Sequence, residues 1–110
     1  NIYLTHSYFI CLLRSKKKPT PSVVDTLNEL METVKVSSDI KSDDMFQCMK
    51  GEYLYYIEGD FEQANEILLE AMKLNKNKSY PKKSLLAIYK DKGLESAFDE
   101  LQSSIENDDD

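Results

Sequence analysis

The stretch Tyr55-Tyr56-Ile57-Glu58-Gly59-Asp60-Phe61-Glu62-Gln63-Ala64 decides how this chain is organised. Before it, Met45, Phe46, Met49, Tyr53, Leu54, Tyr56 and Ile57 recur at helical spacing. After it, Phe61, Ala64, Ile67, Leu68, Ala71 and Met72 fall on one helical stripe. Gly59 supplies the stop between them, and Asp60 followed by Gln63 has the pattern of a capping box opening the second helix. A connection this short makes the two helices antiparallel neighbours.

Compared with itself, the chain repeats this unit with a period of 34. Leu54 pairs with Ile88, Tyr55 with Tyr89 and Gly59 with Gly93. One residue is missing after Gly93. Allowing for it, Phe61 meets Leu94, Ala64 meets Ala97, Leu68 meets Leu101 and Met72 meets Ile105. Ser79 and Pro81 open the fifth helix, which carries Leu85, Leu86, Ile88 and Tyr89, and the sixth runs from Leu94 to Ile105.

Two further helices precede the repeat. The first, about Ile2 to Lys16, is apolar nearly all round, which predicts burial on more than one side. Pro19-Thr20-Pro21 breaks it. Thr20 is placed as N-cap and Pro21 as first helical residue of the second helix, whose face is Val23, Val24, Leu27, Leu30, Met31 and Val34. Val36 to Ile40 reads as a polar connection, with Ser42, Asp43 and Asp44 supplying a cap and favourable charge for the third helix. The expected architecture is all-α: one domain over residues 1–107, with helix pairs at about 2–36, 41–74 and 79–106, and a frayed acidic tail over 107–110.

The segment from Met45 to Asn77 resembles a tetratricopeptide repeat. Tyr55 to Ala64 looks like that family's turn region, and Ala71, seven residues after Ala64, stands where the family has its second small residue. Lys76 stands where the family often has Pro, and Glu52 where it usually has a small residue. The resemblance covers about 60 residues by motif and the first pair by length alone. It implies antiparallel helix hairpins stacked as a short right-handed solenoid, with the first helix of each pair lining a concave face. In the family's register that groove is lined by Phe46, Met49, Lys50, Tyr53 and Tyr56, then by Tyr80, Lys83, Ser84, Ala87 and Lys90. Aromatic anchors among lysines suit recognition of a short peptide, acidic on the lysine side. The clamp by which one subfamily holds a C-terminal carboxylate is not implied, because Lys50, Tyr80 and Ser84 replace its polar and basic residues.

Charge is unevenly spread. Net charge is −6, but residues 1–94 balance at +1 while residues 95–110 carry seven acids and no base. Nucleic-acid binding is not expected from such a chain, since it rests on many Lys and Arg on one face. Local basic runs at Arg14, Lys16, Lys17 and Lys18 and at Lys73, Lys76, Lys78, Lys82 and Lys83 read as solvated corners. Cys11 and Cys48 fall in apolar stretches as small hydrophobes, which favours a reducing compartment such as the cytoplasm without fixing one. Ile2–Leu13 is too short to span a membrane.

Chemistry is sparse. His6 is the single histidine and lies about 140° round the helix from Cys11, so they form no facing dyad. Asp43/Asp44 and Glu66/Glu70 read as solvated pairs, and no glycine-rich phosphate loop is present. The chain therefore reads as a binding module without enzymatic activity, cofactor or metal. Its expected role is an adaptor, scaffold or partner-sensing domain that docks a peptide or helix. The alternative is a structural segment that stacks against further repeats or a second copy, as a homodimer or longer array.

Overall fold

The computed structural model describes residues 1–15, 19–74 and 79–107, with side chains up to Ser103 apart from Ser79. Lys16–Lys18, the corner Asn75–Lys78, the tail Asp108–Asp110 and the side chains of Ser79 and Ile105 lie outside the described residues. The elements are α1 (Ile2–Leu13), α2 (Pro21–Lys35), α3 (Ser42–Tyr56), α4 (Phe61–Leu74), α5 (Ser79–Lys92) and α6 (Glu95–Asn107). No strand occurs among the described residues, and no helix among them is long and apolar enough to cross a membrane.

Local chemistry sets the helix ends. Thr20 Oγ1 accepts from the Val23 amide at 3.2 Å with Pro21 as first helical residue. Asp60 Oδ1 accepts from the Gln63 amide at 3.1 Å, one half of a capping box. Gly59 and Gly93 close α3 and α5 at φ +69° and +79°, a region that costs any residue with a Cβ. The bond across the first turn runs from the Asp60 amide to the Leu54 carbonyl, and across the second from the Leu94 amide to the Tyr89 carbonyl. The second ring is one residue tighter, which is where the repeat loses its residue.

Three local expectations need correction. Helix α1 stops at Leu13 rather than Lys16, and only Ile2, Phe9 and Leu13 on it are buried. Leu4 is 71% exposed and Tyr8 54% exposed, so one side of α1 faces solvent. Cys11 is exposed, whereas Cys48 is buried as expected. Ser42 does not cap α3: its hydroxyl donates to the Ser37 carbonyl at 3.1 Å, and Asp39 Oδ1 accepts from the Lys41 amide at 2.9 Å. These bonds fix the preceding turn, while Asp43 and Asp44 contribute only charge in the first helical turn.

Packing is organised around α3, which touches α1, α2, α4 and α5. Its two sides explain why its apolar residues are spread round the helix. Met45 and Met49 join Ile2, Phe9, Leu13, Leu27 and Val34 in one cluster. Cys48 joins Ala64, Leu68, Leu85, Ile88 and Tyr89 in the other, with Leu94 and, from α6, Ala97, Phe98 and Leu101 packed against it. Tyr56 packs against both. Helices α1, α3 and α5 contact one another in succession, whereas no contact joins α2, α4 and α6 among the described residues. The smallest extent of the molecule, 21 Å, equals two helix diameters of about 10 Å each.

Candidate functional site

Because α1 and α5 both pack on α3, they leave a furrow between them of about 340 Å³. His6, Ser7, Ile10, Cys11 and Arg14 line it from α1, Tyr80, Lys83 and Ser84 from α5, and Glu52 from α3. Helical spacing makes this possible, since positions 7, 11 and 14 follow one stripe of α1 and 80 and 84 one stripe of α5. The His6 and Tyr80 rings meet edge to face at 6.2 Å, joining α1 to α5 across α3.

Glu52 is 0% exposed and bears the charge at the base of this furrow. Its Oε1 accepts from Arg14 Nη2 at 2.6 Å and from Arg14 Nε at 3.1 Å, and its Oε2 accepts from the Ser84 hydroxyl at 3.2 Å. One carboxylate thus ties α1, α3 and α5 together. Burial pushes its pKa above the usual carboxylate value, although Arg14 and Ser84 pull the other way. Burial, then the Arg14 charge, lowers the His6 pKa, and His6 Nε2 is buried with no hydrogen-bond partner in the structure. Burial, seconded by Glu52, pushes the Cys48 thiol up to about 12, so it packs as an inert group, while Cys11 stands exposed on the rim.

A pH signature follows. Removing Arg14 leaves a buried carboxylate with one hydrogen bond, a loss of about 2 kcal/mol at pH 7.5 given the partial exposure of Arg14. A carboxyl whose folded pKa lies above its unfolded value binds its proton first in the folded state. Its contribution to stability therefore rises as pH falls from the folded pKa toward 4.5. Without Arg14 the Glu52 pKa rises further and the lowered His6 pKa relaxes upward, and both changes favour the variant in acid. Arg14→Met is expected to lose less stability at pH 5.5 than at pH 7.5 in urea titrations. Equal losses at the two pH values would contradict this account.

The residues expected to line a groove are dispersed. Lys83 lines the furrow, with Tyr80 and Ser84. Met49 is 0% exposed and belongs to the core. Phe46, Tyr53 and Tyr56 are half-buried against the first cluster. Lys35 Nζ stands 5.7 Å over the Phe46 ring, and the Tyr53 hydroxyl accepts from Asn28 Nδ2 at 3.3 Å. Lys50 is exposed outside the furrow lining, Ala87 is half-buried, and Lys90 borders a separate cleft on α5 and α6. His6, Arg14 and Glu52 were not expected at the site. Glu52 carried a signal, a charge among the apolar positions in the middle of α3.

Among the described residues no group of His, Cys, Asp and Glu is placed to hold a metal ion. No family model, curated protein or solved structure matches the chain.

Proposed function

We propose that this chain is a helical-repeat interaction module, related in design to tetratricopeptide arrays, that receives a peptide or helix in the furrow between α1 and α5. The observation that carries this reading is the succession of α1, α3 and α5 round one furrow, with α2, α4 and α6 not touching one another. Inner helices that pack together while outer helices spread apart favour a curved solenoid with α1, α3 and α5 on its concave side. The furrow pairs apolar and aromatic walls (Ile10, Tyr80) with cations (Arg14, Lys83), which suits an extended or helical segment with an acidic residue. In this reading the module binds and performs no chemistry.

Peptides selected from a random displayed library against the intact chain test the proposal. Ser7→Trp and Lys83→Glu alter exposed furrow positions. They are expected to weaken the selected peptides by about tenfold or more while leaving the helical circular dichroism spectrum unchanged. Selected peptides that bind both variants as well as the parent would contradict the proposal.

A further inference from the structure

A second opening shares no residue with the furrow and lies along α4. It holds about 340 Å³ between Gln47 of α3 and Gln63, Glu66, Ile67, Glu70, Ala71 and Leu74 of α4. Positions 63, 67, 70 and 74 follow one helical stripe, the spacing of a seam that accepts another helix along its length. The stripe runs about 16 Å, or three helical turns. Ala71 is buried and Ile67 half-buried, whereas Leu74 is 78% exposed. Helix α4 touches only α3 and α5 among the described elements, and no residue of α5 lines this groove.

Charge selects the occupant. The lining holds two acids and no cation. Glu66 and Glu70 stand one turn apart on the rim, both exposed and neither in an ion pair among the described residues. The same sign continues beyond the rim. Asp25, Glu29 and Glu32 on α2 and Glu62 on α4 are exposed, and Lys35 and Lys73 are the only cations of those two helices. A surface of this sign attracts a cationic partner and repels an acidic one.

We infer that the α4 groove receives an amphipathic helix with a basic flank, supplied by a partner protein. Its apolar side chains, repeating at seam spacing, cover Ile67, Ala71 and Leu74, and its Lys or Arg heads meet Glu66 and Glu70. Gln47 and Gln63 offer amide oxygens to the same cations. The preference is opposite to that of the furrow, where Arg14 and Lys83 line the walls, so the two surfaces sort two different partners.

Two exposed-site variants test the groove. Glu66→Lys/Glu70→Lys reverses the rim, and Leu74→Ser removes its exposed apolar end; circular dichroism checks that both fold. The probe is a labelled lysine–leucine peptide of about fourteen residues whose leucines keep the seam spacing. Fluorescence anisotropy compares it with a peptide of the same composition in scrambled order. The ordered peptide is expected to bind the parent chain with Kd on the order of 100 μM, at least about tenfold more tightly than the scrambled one, and more weakly as salt is added. Each groove variant is expected to lose about tenfold or more of that affinity, and Lys83→Glu, in the furrow, to lose none. An ordered peptide that does not bind overturns the inference. Equal binding of the two peptides, or binding that Leu74→Ser leaves intact, also overturns it, since surface charge alone would then be responsible. A loss caused by Lys83→Glu overturns it too, because the peptide would then sit in the furrow.

Discussion

Gly51→Val is expected to destabilise the fold by about 3 kcal/mol, because α3 and α4 touch where Gly51 has no side chain. A Cβ at Gly51 would lie 2.6 Å from Leu68 Cγ, 2.8 Å from Cδ2 and 3.0 Å from Cδ1. Leu68 is 0% exposed within a cluster that also holds Cys48, Ala64 and Leu85, so it has nowhere to withdraw without moving α4. Alanine sets two effects against each other, the same overlap and a helix-propensity gain of about 1 kcal/mol over glycine. Gly51→Ala should therefore lose less than Gly51→Val. Leu68→Ala alone should lose about 2–5 kcal/mol through its cavity. Combined with Gly51→Val it should lose less than the two separate losses together, by more than about 1 kcal/mol, since the new side chain enters the vacated space. Strictly additive losses in urea unfolding would show that α3 and α4 do not approach there.

The second large effect is expected at Phe9→Ala, with a loss of about 3–5 kcal/mol. Phe9 is 0% exposed and sits with Leu27 and Val34 of α2 and Met45 and Met49 of α3. For a domain whose whole stability is about 5–15 kcal/mol, that is a large fraction. It also asks whether the first helix pair is part of one cooperative unit. If it is, the single transition moves to lower urea with its slope kept. A loss below about 1 kcal/mol, or a separate early transition, would mean that α1 and α2 are only loosely joined to the rest.

What the sequence made legible follows from local physics. Thr20-Pro21, Gly59-Asp60 and Gly93 act through their own backbones, and each marks a helix end in the structure. The repeat of Tyr55 at Tyr89 was equally readable, because a tyrosine hydroxyl in a helix seam needs a partner and finds one in each case: Asp91 for the first, Asn65 for the second. The furrow was harder to read because it depends on which side chains of distant helices converge. Phe46, Tyr53 and Tyr56 look like ligand anchors in sequence, yet all three pack against the first core and Tyr56 against the second as well. Arg14 and Glu52 are 38 residues apart, and no periodicity links them. The exposure of Leu4 and Tyr8 was hidden for a related reason: hydropathy records what a residue would gain from burial, not whether another element arrives to cover it.

The furrow exists only because α1 and α5 close over α3, and the edge-to-face contact of His6 with Tyr80 at 6.2 Å reports that closure directly. His6 is the single histidine of the chain, so its ring protons are unambiguous in a two-dimensional NMR spectrum. Nuclear Overhauser cross-peaks between the His6 and Tyr80 rings are the predicted result. Well-resolved rings with no cross-peak between them, in a folded helical chain, would place α1 and α5 apart and leave no furrow.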